Sequence, residues 1–179
     1  PDGADGLRGA YRLSTIALSI AMALVGVALV AVTVAEGGGP LARGVLFGAG
    51  ADVIFVAAGK AGLGAIDQVK PRPDSYVIGV DSDQDALAPG KVLTSMVKRV
   101  DVGVLRLSKE AASKKPPSGH LELGLKDDAV GLTSFPYTKR VMTPDRIARI
   151  AALKRAIVAG KIKAPSTREE LAQFKPVTL

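Results

Sequence analysis

The sequence has no cysteine and no tryptophan, a single histidine, and only 4% aromatic residues among 179. Without cysteine, a disulfide framework and a thiolate metal site are both excluded, and the redox compartment is left open. His120 alone cannot make a histidine metal cluster, and no nucleophile, base and orienting group stand at a telling spacing. The residue follows Gly119 at an expected strand start and reads as a surface or strand-end side chain. We therefore expect no metal, no cofactor and no enzymatic chemistry. The scarcity of aromatics also weighs against nucleic acid. A net charge of +7 invites an anionic partner, yet the basic residues are not interleaved with aromatics and no recognition motif occurs. Lys109, Lys114 and Lys115 read as a solvated helix end.

Charge is missing altogether from Leu13 to Ala35. As a helix at about 1.5 Å per residue this stretch would span roughly 34 Å, close to a bilayer core of about 30 Å. Arg8 and Arg12 precede it and Glu36 follows, which places the basic side in the cytoplasm and residues 50–179 outside. The chain thus divides into a polar lead (1–12), a transmembrane-like or signal-like apolar helix (13–35), a linker (36–49) broken by Gly37-Gly38-Gly39-Pro40, and a domain (50–179). Several readings of the apolar segment stay open. As a signal peptide its core is overlong and Val32-Thr33-Val34-Ala35 is a poor cleavage site. A spanning anchor fits the length better, and a buried helix is a minor reading. The charges of residues 1–49 cancel, so the whole basic excess belongs to the domain.

What is present in that domain is an alternation of apolar runs and helical patterns. Asp52–Ala58 and Tyr76–Val80 are Val- and Ile-rich with little alternation, as strands buried on both faces are. Between them Lys60–Val69 carries Ala61, Ala65, Ile66 and Val69 on one side of a helix that Pro71 and Pro73 end. Asp81–Gly90 reads as a polar loop, Val92–Met96 as a strand, and Arg99–Ser113 as a helix with Val100, Val104 and Leu107 on one face. Leu121–Leu125 and Val130–Phe135 read as further strands around a turn at Asp127-Asp128. Thr143 as N-cap and Pro144 at the first position open a helix with a stripe of Ile147, Ile150, Ala151, Leu153, Ala156 and Ile157, closed by Gly160. Ser166–Glu169 has capping-box spacing and starts a last short helix. This order predicts an α/β fold, a parallel sheet with flanking helices.

Two strands end on opposite charges. Loops leaving the carboxyl ends of parallel strands converge on one crevice, where an acid can accept hydrogen bonds from vicinal sugar hydroxyls. Asp81 ends one strand, with Asp83 beside it in the loop. Lys98 follows another and is read at the start of a helix, where a cation opposes the helix dipole. From the residues alone, a solvated acid and an exposed lysine remain the plainer readings. Gly59-Lys60-Ala61-Gly62-Leu63-Gly64 is a strand-to-helix turn whose backbone N–H groups suit an anion or a sugar oxygen. Its order is G-x-x-G-x-G rather than the dinucleotide G-x-G-x-x-G. Phe55 reads as core, and Arg99 with Asp101 as a local surface pair.

Four blocks in order, GADVIFVAAGKAGLGAIDQVK, YVIGVDSDQ, VLTSMVKRVDVGV and LELGLKDDAVGL, resemble the basic membrane protein family of bacterial substrate-binding lipoproteins, the nucleoside-binding family. The resemblance runs from about Gly48 to about Pro165. It implies part of a type I periplasmic-binding-protein fold, in the cell envelope outside the cytoplasm. It also implies a purine nucleoside or related ligand, such as a flavin, held between two lobes, and delivery to an ABC permease. The family pattern assigns ribose contact to Asp81 and a companion ligand contact to Lys98, with Gly59 and Lys60 in the adjoining turn. The family usually has glycine where Lys60 stands. Its lipid-attachment cysteine has no counterpart here, nor does most of the first lobe. A segment 13–35 foreign to the family's folded protein, from an abnormal start or a fragment, therefore stands beside the anchor and signal readings. The alternative function is a membrane-tethered interaction module that kept the fold without transport, or a truncated member without function.

Overall fold

The computed structural model describes residues 29–30, 47–48, 50–57, 62–113, 121–165 and 167–174. Its centre is a sheet of order β1 (Leu29–Val30), β2 (Val53–Phe55), β3 (Tyr76–Asp81), β4 (Val92–Lys98) and β5 (Val130–Leu132). The first four strands are parallel, and β5 joins antiparallel to β4. Of the apolar segment 13–35, only Leu29–Val30 is described, and there the expected helix is corrected: these residues form β1, paired in parallel with Val53 and Ile54; the remainder lies outside the described residues. No helix among the described residues is long and apolar enough to cross a membrane.

The near-continuous apolar runs are explained by cover on both faces of the sheet. On one face Ile54, Val56, Val77 and Val92 pack with Ala65, Ile66 and Val69 of α1 (Leu63–Val69). On the other, Val53, Phe55, Ile78, Val80, Leu93 and Met96 meet Phe135 and Met142, with Ile147 and Ile150 of α2 (Pro144–Val158) packed against them. Neighbouring residues Val77 and Ile78 therefore serve opposite faces, as the pleat requires. The register shifts between them, Val77 pairing with Val92 and Ile78 with Thr94, which sets one extra residue, Leu93, in β4 as a bulge. The core reading of Phe55 holds, at 1% exposure.

Helix α2 starts as its sequence implies, with Thr143 Oγ1 accepting from the Arg146 N–H at 3.5 Å and Pro144 at its first position. Gly160, with φ of 71°, follows its end, and Leu153 and Ala156 pack with Ile162 and Phe174.

Four further expectations need correction. Leu121–Leu125 is not a strand: the Asp127 carboxylate accepts the Gly124 N–H at 3.0 Å, and the chain turns into a 3-10 segment, Leu125–Asp127, instead of pairing. Strand β5 correspondingly ends at Leu132 rather than Phe135. Lys98 is the last residue of β4 rather than the first of a helix, because Arg99 N-caps the helix α3 (Val100–Ala112). The last helix, α4 (Arg168–Gln173), is capped through Thr167, whose Oγ1 accepts the Glu170 N–H at 3.1 Å, so the cap falls one residue after Ser166.

Candidate ligand-binding site

Strands β3 and β4 end side by side, with Asp81 paired to Val97. In a regular pleat Asp81 would share a face with Val97, and Lys98 would point to the other. The backbone breaks that rule. Asp81 has φ of 69°, and the Ser82 N–H donates back to the Val80 carbonyl at 2.9 Å. A three-residue turn closed this way with a positive central φ is the rare, strained form of γ-turn. Aspartate tolerates this region better than most residues, and sites that store such strain cluster at functional positions. The turn lets Asp81 Oδ1 approach Lys98 Nζ to 3.1 Å.

The two side chains are 42% and 33% exposed, so the pair is open to a ligand from one side. Asp81 Oδ1 itself is shielded and accepts no aligned hydrogen bond, leaving the Lys98 ammonium as the charge that faces it. An ion pair this exposed contributes only about 0–1 kcal/mol, and a ligand that replaces it sacrifices little. Chemically the pair offers a hydrogen-bond acceptor and a cationic donor at one strand-end edge, which suits a polyhydroxylated ligand. The helix-dipole reasoning for Lys98 no longer applies, since strand β4 supplies the residue.

Gly59 and Lys60 lie outside the described residues. Their flank is described: a Cβ on Gly62 would stand 2.7 Å from Val56 Cγ1, so the start of α1 packs against the end of β2 at a distance only glycine permits. Asp83 is loop structure, its Oδ1 accepting the Asp85 N–H at 2.9 Å. Arg99 does pair with Asp101, at 3.5 Å, and also with Asp128. It thereby ties the end of β4 to the turn before β5. Asp127-Asp128 forms that turn, with Asp128 at φ of 54°. The Gly124 N–H, together with the positive charges of Lys126 and Arg106, holds the Asp127 carboxyl below its ordinary range.

Beneath the site lies a polar group that the sequence did not single out. Gln84 Oε1 accepts the Val80 N–H at 3.0 Å, the Gln84 N–H donates to Ser95 Oγ at 2.9 Å, and Ser95 Oγ donates to Asp85 Oδ1 at 2.6 Å. Asp85 and Ser95 are fully buried. A serine inside the apolar run VLTSMV, and a third acid in DSDQD, were the available signals. An open hollow of about 450 Å³ near α4, lined by Lys163, Ala164, Pro165, Glu170, Gln173 and Phe174, includes none of these residues. No group of acids and histidine that could hold a metal occurs among the described residues.

Residues 40–168 match the family model described as ABC transporter substrate-binding protein, PnrA-like. Basic membrane protein D of Borreliella burgdorferi is 45% identical over 86 residues, covering 46% of this chain and 25% of the relative. A CD4+ T-cell-stimulating antigen of Listeria monocytogenes is 36% identical over 136 residues, covering 67% of this chain and 37% of the relative. The chain thus spans a quarter to somewhat over a third of the length of these curated relatives. Among solved structures, a solute-binding protein of an ABC transporter system from Aeropyrum pernix superposes with a TM-score of 0.62 at 17% identity, over 90% of this chain and 65% of the other. A transcriptional activator of the comK gene from Bacillus halodurans gives 0.62 at 23% identity, over 68% and 42%. These two likenesses concern the fold.

Proposed function

The chain belongs to the family of PnrA-like ABC transporter substrate-binding proteins, and on that premise we propose that it binds a purine nucleoside or related ligand by its ribose through Asp81 and Lys98. The observation that carries this reading is the 3.1 Å pair at the ends of two parallel strands, built on a strained turn. With Oδ1 turned to Lys98, the Asp81 carboxylate accepts from the vicinal hydroxyls through its other oxygen, and the Lys98 ammonium donates to a hydroxyl or ring oxygen. The family pattern adds Gly59 and Lys60, between β2 and α1 in the chain, as further contacts to the sugar. Binding involves no bond making. A second lobe closes over the base, and the closed receptor, outside the cytoplasm, docks on an ABC permease.

Small-molecule sites commonly enclose about 70–90% of their ligand, whereas Asp81 and Lys98 face it from one side. We therefore expect this chain alone to bind at millimolar strength or weaker. A thermal-shift titration with adenosine, guanosine, inosine, cytidine and riboflavin tests the proposal, since a ligand of the folded state raises its stability. A rise for purine nucleosides that Asp81→Ala removes is expected. A rise unchanged in Asp81→Ala refutes the site, and micromolar affinity refutes the one-sided cleft.

One observation favours the second reading, an interaction module. Helix α3 leaves Val100, Val104, Leu105 and Leu107 exposed, a surface suited to a protein partner. Cooperative unfolding that no nucleoside shifts would favour it.

A further inference from the structure

The shape of the Asp81 turn is not dictated by aspartate, which adopts ordinary strand geometry readily. Something must hold it, because a positive-φ γ-turn persists only where its surroundings over-determine it. The hydrogen bonds around it converge on its two flanks. Before the turn, the Val80 N–H is taken by Gln84 Oε1. After it, the Gln84 N–H is taken by Ser95 Oγ, and the Asp85 N–H by Asp83 Oδ1. Ser95 joins the two halves, for its one hydroxyl accepts from Gln84 and donates to Asp85. Space is closed as well: a Cβ on Gly79 would stand 2.6 Å from Gln84 Oε1 and 2.8 Å from Ser95 Oγ.

Asp85 is the unusual member. It is 1% exposed, Ser95 uses one of its oxygens, and the other is buried without a hydrogen-bond partner among the described residues. A buried carboxyl satisfied on one side only is costly, and a native structure that keeps one calls for a reason. A serine hydroxyl must turn its proton away from the donor it accepts. A carboxylate, which only accepts, fixes the Ser95 proton toward itself and leaves the Ser95 lone pair for Gln84.

We propose that Gln84, Ser95 and Asp85 form a clamp that holds the Asp81 turn, making Asp85 and Ser95 positioning residues for the ligand-binding carboxylate. They act through the backbone on either side of residue 81, at the Val80 and Gln84 N–H groups. The proposal rests on the ligand-binding reading of Asp81 for its functional meaning, and its structural content is testable apart from it.

The experiment compares the full-length chain with Ser95→Ala, Ser95→Thr and Asp85→Asn by NMR amide hydrogen exchange, with a thermal-shift titration against adenosine on each. In Ser95→Ala, exchange of the Ser82 and Gln84 amides should accelerate about tenfold or more, while Ile54 and Ile78 in the sheet keep their rates within about twofold, the mark of local rather than global opening. Ser95→Thr, which keeps the hydroxyl, should restore protection and the adenosine shift; Asp85→Asn should fall between. Wild-type protection of Ser82 in Ser95→Ala overturns the clamp, as does equal acceleration at Ser82 and Ile78. If wild type responds to no nucleoside while the local exchange pattern appears, the nucleoside reading fails and the clamp stands.

Discussion

Strands β3–β4 and helix α3 are consecutive in the chain and comparably apolar, yet the fold treats them in opposite ways. Ile78, Leu93 and Val92 are at most 1% exposed, with cover on both faces of the sheet. In α3 no residue is buried, and Val100 is 63% and Val104 58% exposed. Polar pairs tie α3 to the rest of the fold: Arg106 pairs with Asp127 at 3.1 Å, and Arg99, its N-cap, pairs with Asp128. An apolar stripe states which side chains call for cover, but whether a given chain supplies that cover depends on elements elsewhere. The strand ends that carry Asp81 and Lys98 are fixed by this chain's own core, which is why the candidate site proposed there is well defined though open on one side.

The sharpest way to break this contrast is a pair of truncations. Ile78→Ala removes a side chain packed on every side and should cost about 2–5 kcal/mol. Val104→Ala should stay within about 0.5 kcal/mol, as exposed substitutions do. Urea denaturation of both checks the difference, and equal losses would mean that α3 is covered in solution. Gly79→Ala should cost about 1–3 kcal/mol by forcing Gln84 and Ser95 apart, read by the same unfolding curves. Gly103→Ala on α3, where a Cβ would meet Leu123 Cδ1 at an ordinary 3.6 Å, should cost nothing and gain about 0.5–1 kcal/mol from helix propensity.

Next in size is Asp81→Asn. Asparagine tolerates the left-handed region as aspartate does, so the turn should survive and stability should change by less than about 1 kcal/mol. Any adenosine response should nonetheless vanish, separating a role in binding from a role in folding. The smallest effect concerns pH. The Asp127 carboxyl is held below its ordinary range, chiefly by the Gly124 N–H. Its contribution to stability is therefore present above the ordinary carboxylate range and lost as pH falls through the depressed value. Asp127→Asn should reduce this acid-side loss, measured as the melting temperature between neutral and acid pH. An unaltered acid limb would contradict the assignment.

Much of this was legible in the residues. The runs VIF, YVIGV and VLTSM announced buried strands because composition without alternation has one common explanation, and the charges at the ends of the last two are brought together at 3.1 Å. Thr143-Pro144 announced α2 through local capping chemistry. The strand expected at Leu121–Leu125 failed because a single side chain, Asp127, captured the Gly124 N–H, a contest that periodicity does not register. The place of Lys98 was misread by one or two residues, which moved it from a helix dipole to a strand end. The clamp was invisible for a further reason. Gln84, Asp85 and Ser95 are ordinary loop and strand residues until tertiary structure sets them around Gly79, and the γ-turn at Asp81 exists only in that company.

The most direct test of the central claim is an NMR titration of the full-length chain with adenosine, following backbone amides. Chemical-shift changes concentrated at Asp81, Ser82, Lys98 and Arg99, absent in Asp81→Ala, are the predicted result. Changes confined to residues remote from the ends of β3 and β4, such as those around Phe174, or an unaltered response in Asp81→Ala, would contradict it.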